Sequence, residues 1–164
     1  MDEKTRRVLI VEDDEATADT IKESLEYLGY EVSGSVTNGE DAIERIKADE
    51  PDIVLMDIEI QGELDGIQTA KELITISNVP VIYLTGISDD ATLERAIKTA
   101  PYGYITKPFE PDDLKIAIEI ALNKHELDVG RENLLSRLQG VVSKIVSKYI
   151  GPEKLGTNSK NWFK

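Results

Sequence analysis

Carboxylates stand where two apolar runs of this chain stop. Val8-Leu9-Ile10-Val11 leads into Glu12-Asp13-Asp14, and Ile53-Val54-Leu55-Met56 leads into Asp57. Two further runs end on Thr85-Gly86 and on Tyr104-Ile105-Thr106-Lys107-Pro108. If the elements carrying them lie side by side, Glu12, Asp13 and Asp57 converge, and each unpaired couple repels by ~4 kcal/mol at ~4 Å and an effective dielectric near ~20. Protonation, a metal ion or a nearby cation must offset this. Lys107 supplies one positive charge. A hard divalent cation suits the rest, because every donor is oxygen and none is nitrogen or sulfur. Mg²⁺ takes one or two carboxylates, keeps several waters and accepts a phosphoryl oxygen, which opens such a site to phosphate chemistry.

The elements that must position these residues are legible as an alternation. Val8–Val11, Ile53–Met56 and Val79–Leu84 are continuous Val-, Ile- and Leu-rich runs, the pattern of parallel strands buried on both faces. Tyr102–Ile105 is a weaker run, and Tyr30–Val36 alternates. Stripes of helical period lie between: Ile21, Leu25 and Leu28; Ala42, Ile43 and Ile46; Ile67, Ala70, Leu73 and Ile74; Leu93, Ala96 and Ile97; Leu114, Ala117, Ile118, Ala121 and Leu122. Start signals stand at Ser88 followed by Asp89-Asp90 and at Pro111 followed by Asp112-Asp113. Strand–helix repeated five times predicts an α/β, doubly wound parallel sheet with helices on both faces. In such sheets ligands bind outside the carboxyl ends of the strands, where the residues above fall.

Composition sets the class. The 164 residues suit one domain with an appendage; 40% are apolar and 31% charged, as in a globular chain. Absence of cysteine excludes disulfides and thiolate metal sites. No apolar run approaches a membrane span, and Met1-Asp2-Glu3-Lys4 lacks a signal-peptide pattern, so a soluble, cytoplasmic protein is expected. The net charge of −13 is unevenly spread: residues 1–127 carry −17 and residues 128–164 carry +4. The acidic body argues against a nucleic-acid partner, which needs clustered cations. The change of sign marks a boundary between a domain at 1–127, a helical extension at 128–150 and a flexible tail at 151–164.

Five motifs in order carry a resemblance: Leu9-Ile10-Val11-Glu12-Asp13-Asp14, Ile53-Val54-Leu55-Met56-Asp57, Asp65-Gly66, Leu84-Thr85-Gly86 and Lys107-Pro108-Phe109. Over residues ~5–127 the chain resembles the receiver domain of two-component response regulators, in particular single-domain receivers of the chemotaxis kind. Tyr83–Ala96 is also similar to receivers of methanogenic archaea. The resemblance implies a flavodoxin-like strand order 2-1-3-4-5. It implies Asp57 as phosphoacceptor from a sensor histidine kinase, with Mg²⁺ as cofactor held by Asp13, Asp57, Glu12 through water and the backbone carbonyl of Glu59. Lys107, Thr85 and Gly86 would bind the phosphoryl group, Thr85 and Tyr104 would form the switch, and the Lys107-Pro108 bond would be cis. The fourth helix, fifth strand and fifth helix would present the responsive face to a downstream protein partner.

The chain departs from that pattern in one loop. Gln61 stands where receivers usually carry proline, Glu59-Ile60-Gln61-Gly62-Glu63-Leu64 is one residue long, and Glu59 is charged beside the phosphoacceptor. Three functions follow as alternatives: a stand-alone switch that recruits a protein, a phosphorelay intermediate or phosphate sink without output, and a Mg²⁺-dependent aspartyl-phosphate phosphohydrolase using Glu59 as acid/base. The expectation is the first, with autophosphorylation and self-dephosphorylation but no enzymatic turnover. Taken without their partners, Glu12, Asp13 and Asp14 read as acids capping the first helix and Lys107 as a solvated cation. His125 reads as an exposed histidine near the end of the fifth helix, although His125-Glu126-Leu127 resembles a kinase phosphoacceptor tripeptide. Beyond it, Leu135, Leu138, Val142, Ile145 and Tyr149 form a two-heptad seam within a helix over 131–150, which must dock on the receiver, a partner or a second subunit as a homodimer. Trp162-Phe163 are a candidate anchor.

Overall fold

The computed structural model describes residues 4–86 and 89–149. The start signal at Ser88, position 150 of the extension and the tail with Trp162 and Phe163 lie outside the described residues. The order is β1 (Arg7–Val11), α1 (Glu15–Tyr27), β2 (Glu31–Val36), α2 (Gly39–Asp49), β3 (Ile53–Asp57), α3 (Gly66–Ile76), β4 (Val81–Thr85), α4 (Asp90–Ile97), β5 (Gly103–Thr106) and α5 (Pro111–Tyr149). All four strand pairings are parallel, and the sheet runs β2-β1-β3-β4-β5, as the resemblance implied.

Alternation along the strands explains the continuous apolar runs. Val8 and Ile10 of β1, Ile53 and Leu55 of β3, and Ile82 and Leu84 of β4 face one side. There they meet Ile21 and Leu25 of α1 and Leu114, Ile118 and Leu122 of α5. Leu9, Val11, Val54, Met56 and Tyr83 face the other side and meet Ala42 and Ile46 of α2, Ile67 and Leu73 of α3 and Ala96 of α4. β3 is buried throughout, and β1 and β4 at all but one end residue, because both faces of the sheet are covered there, whereas the edge strands β2 and β5 are largely not buried.

Five details differ from the sequence reading. β4 starts at Val81 rather than Val79, because Pro80 has no N–H to give the ladder; its carbonyl instead accepts from the Val54 N–H. α4 is capped by Asp89, whose side chain accepts from the Thr92 N–H, so the helix begins one residue later than Ser88 signalled. Its apolar stripe buries only Ala96, leaving Leu93 and Ile97 exposed. The fifth helix does not end near His125: α5 is continuous to Tyr149 through Gly130 and Gly140. His125 is half-buried, its ring edge-on to Tyr102 at 5.4 Å, not a freely exposed histidine.

The chain divides into two compact units at His125/Glu126. The first holds the sheet and its covering helices. The second holds the exposed Leu134, Leu135, Leu138, Val141, Val142, Ile145 and Tyr149 of α5. No described helix is long and apolar enough to cross a membrane.

Candidate functional site

Register places the acids. Val11 pairs with Met56 between β1 and β3, so Glu12 and Asp57 emerge together one residue further on. Thr85 pairs with Thr106 between β4 and β5, and the Lys107 N–H donates to the Thr85 carbonyl at 2.7 Å. The four strand ends named by the sequence are thus neighbours at one edge. The Lys107-Pro108 bond is cis.

Glu12 and Asp57 are almost fully buried, at 1% and 6% exposure. Lys107 lies between them, its Nζ 2.6 Å from Glu12 Oε2 and 2.7 Å from Asp57 Oδ2. The remaining oxygens are also engaged: Glu12 Oε1 accepts from the Asp14 N–H at 3.0 Å, and Asp57 Oδ1 from the Glu59 N–H at 2.9 Å. Burial pushes the Glu12 carboxyl above its ordinary range; the Lys107 and Asp14 hydrogen bonds oppose the rise and neighbouring Asp57 adds to it. Burial draws Lys107 down, but Asp57 and Glu12 outweigh it and hold the ammonium above the usual lysine value. The cluster therefore retains its one cation firmly against two carboxylates.

Asp13 completes a triad: Glu12, Asp13 and Asp57 each offer an oxygen, all within 4.8 Å of one another. Three carboxylates against one ammonium leave negative charge uncompensated, and the donors are exclusively oxygen. That set fits a small hard divalent cation. Asp14 acts separately as the N-cap of α1, accepting from the Thr17 N–H, so its capping reading holds while its two neighbours face the cluster.

Around the cluster, Thr85 is half-buried and its hydroxyl donates to the Gly86 carbonyl at 3.3 Å. Among the described residues, nothing lies within 4 Å of where a Cβ on Gly86 would stand. Tyr104 is 39% exposed, its ring 5.9 Å from that of Tyr83 and tilted by 40°. Glu59 is exposed. In the long loop Gln61 bridges to Asn38, ahead of α2, and Gly62 takes φ +117°, a left-handed conformation that side chains disfavour. Gly66 is needed for a different reason: a Cβ there would collide with the Asp57 carbonyl oxygen.

Sequence reasoning missed one tie beside this region. Arg95 of α4 donates to Asp65 at 2.5 Å, and Asp65 is the N-cap of α3 in a capping box with Gln68. The partners are thirty residues apart on different helices, so no local spacing signals the pair.

Comparisons with known proteins match the fold that carries these residues. A family model described as the response regulator receiver domain matches residues 8–119. The chemotaxis protein CheY of Thermotoga maritima is 38% identical over 120 residues, which is 73% of this chain and 96% of that protein. The transcriptional regulatory protein PdtaR of Mycobacterium tuberculosis is 36% identical over 119 residues, 73% of this chain but 58% of that protein. The match thus spans little more than half of that longer relative. Among solved structures, the signal receiver domain of a modulated diguanylate cyclase from Desulfovibrio desulfuricans G20 is similar at 42% identity with a TM-score of 0.73, covering 76% of this chain and 99% of that one.

Proposed function

The chain belongs to the response regulator receiver domain family, and from that premise we propose that Asp57 accepts a phosphoryl group from a sensor histidine kinase, with Mg²⁺, and that the receiver then switches its contacts with a protein partner. The observation that carries this reading is the pairing of Asp57 and Glu12 through Lys107 Nζ beside Asp13, all at one edge of the sheet. Asp13 and Asp57 would hold the cation, with Glu12 through water and the Glu59 backbone carbonyl as a further ligand. Bound there, Mg²⁺ neutralises charge on the carboxylates and on the transferring phosphoryl oxygens.

The chain's own residues supply the rest. A carboxylate oxygen of Asp57 attacks phosphorus, forming an acyl phosphate as the donor's bond to phosphorus breaks and its leaving group departs. Lys107 exchanges its contact with Asp57 for a phosphoryl oxygen, keeping the new charge compensated. The Thr85 hydroxyl leaves the Gly86 carbonyl for the phosphoryl group, Gly86 keeps the approach open, and Tyr104 turns inward. The phosphoryl group adds about −1.5 to −2 charge, and differential contacts in the two states bias the equilibrium.

The face that answers is built by α4, β5 and α5. A groove of about 500 Å³ there is lined by Tyr104, Pro108, Ile116 and Ile120, and Ile97 is exposed on α4. A downstream protein would dock on it. The proposed setting is the cytoplasm, beside the kinase, and the role is signalling rather than turnover. Incubation with a small acyl phosphate and Mg²⁺ tests the reading: wild type gains the mass of one phosphoryl group and Asp57→Asn gains none. An equal gain in both removes Asp57 from the role.

A further inference from the structure

Residues 127–149 of α5 carry a second functional surface, independent of the phosphoryl chemistry. Leu127, Leu134, Leu135, Leu138, Val141, Val142, Ile145 and Tyr149 are each exposed by 46% or more. Counted in heptads, Leu135, Val142 and Tyr149 occupy position a, Leu138 and Ile145 position d, and Leu127, Leu134 and Val141 position g. The opposite face is small or polar: Asn133, Ser136, Gly140, Ser143 and Ser147, with Arg137 and Lys144. The apolar a and d positions run from Leu135 to Tyr149, about two heptads preceded by the charged Asp128 and Arg131, and such a 3.5-residue repeat winds a left-handed supercoil, so the fitting partner is another helix with the same repeat.

The charges select which helix. Asp128 takes position a and Arg131 position d at the start of the seam, with Glu132 beside them at e. Within one chain Arg131 pairs with Asp128 at 2.5 Å. In a parallel, in-register pair a d side chain inserts among the a, d and e residues of the facing helix. Arg131 of each copy then meets Asp128 and Glu132 of the other, and these two carboxylates offset the facing of Arg131 on Arg131 and of Asp128 on Asp128 across the pair. An antiparallel pair packs a positions against d positions, which with Leu135 opposite Leu138 would set Asp128 against Ile145 and Arg131 against Val142, burying charge on apolar side chains. The flanking e and g positions, Glu132, Gln139, Val146, Leu127, Leu134, Val141 and Lys148, place no like charges opposite one another in the parallel register. Residues 126–149 hold four Lys and Arg and three Asp and Glu, so self-association meets little net repulsion.

We propose that residues 127–149 pair with the same segment of a second copy of this chain as a parallel, in-register, two-stranded coiled coil.

The experiment uses the full chain. Light scattering across concentration gives the mass of two chains for wild type and of one chain for Leu138→Asp. The Leu138→Asp protein keeps the wild-type far-ultraviolet spectrum of the sheet domain and its phosphorylation at Asp57, which separates loss of pairing from loss of fold. The chain lacks cysteine, so Leu135→Cys reports orientation: under mild oxidation it cross-links one copy to another only if the helices run parallel in register. Arg131→Glu weakens the dimer, and mixing it with Asp128→Arg/Glu132→Arg restores pairing between the two variants. A wild-type monomer at hundred-micromolar concentration, as expected if the seam lies on its own receiver or awaits a different protein, overturns the proposal. So does a trimer, a dimer untouched by Leu138→Asp, or a dimer in which Leu135→Cys fails to cross-link. None of those results bears on phosphorylation at Asp57, which the mass measurement reads separately.

Discussion

Lys107 is the hinge of the site's electrostatics. Two nearly buried carboxylates share its ammonium, and each carboxylate loses its compensation when the ammonium is removed. Lys107→Met therefore destabilises the metal-free chain by roughly 1–3 kcal/mol, discounted because the ammonium is partly exposed. Mg²⁺ should then raise the thermal midpoint more in the variant than in wild type, since the cation takes over charge that the ammonium carried. Melting curves with and without Mg²⁺ check this; an equal rise in both contradicts it. Glu59 poses a different question. Its N–H donates to Asp57, and its charged side chain is exposed two residues beyond the phosphoacceptor candidate. Glu59→Asn keeps the backbone contact and changes the charge, so the lifetime of phospho-Asp57 should change. Equal decay rates in a paired assay remove that role. Gln61 and Glu59 were recognisable as departures from the receiver pattern by residue type alone. The Gln61–Asn38 bridge was not, because it depends on where a different loop comes to rest.

At the scale of elements, the turn from β3 into α3 is held by close backbone approach. Gly66 sits with its N–H on the Ile58 carbonyl at 2.9 Å, and an added Cβ would meet only the backbone of Asp57 and Ile58, which no side-chain rotation relieves. Gly66→Ala should cost about 3 kcal/mol, measured by denaturant unfolding. A second element-level tie joins β4 to the end of α4: the buried Tyr83 hydroxyl and Thr99 hydroxyl are 2.8 Å apart. Burial pushes the Tyr83 phenol up to about 12 from an ordinary value of 10. A raised folded-state value means that this stability is fully present below pH 10 and is lost as pH rises towards 12, by up to about 3 kcal/mol. Tyr83→Phe loses about 1 kcal/mol at neutral pH with the hydrogen bond, and its deficit against wild type shrinks over that alkaline window. A constant difference through pH 12 contradicts the assignment. The three central strands were legible because short Val-, Ile- and Leu-rich runs are too brief for buried helices. α5 was harder. Gly130 and Gly140 each cost a helix about 1 kcal/mol and suggest a break after residue 127, yet neither stops the helix. α4 misled in the opposite sense. Leu93, Ala96 and Ile97 read as a buried stripe, and only Ala96 reaches the core, because packing against the sheet and not periodicity decides which side is covered.

For the whole molecule, the sheet order does the work that no segment does alone. Placing β3 between β1 and β4 brings residues 12, 13, 57, 85 and 107 to one edge, although more than ninety positions separate Glu12 from Lys107. The site list was readable from strand ends, whereas the sharing of one ammonium by Glu12 and Asp57 required the register. The body's charge of −17 over residues 1–127 makes a bound divalent cation and a retained lysine the natural counterweights to an added phosphoryl group. The most direct measurement locates that group. After treatment with a small acyl phosphate, borohydride reduction and proteolysis convert a phosphorylated aspartate into homoserine at the modified position. Phosphorylation as proposed gives the product at Asp57 alone, dependent on Mg²⁺ and lost on treatment with hydroxylamine before reduction. Reduction at a carboxylate other than Asp57, or the same yield at Asp57 with Mg²⁺ chelated, would contradict it.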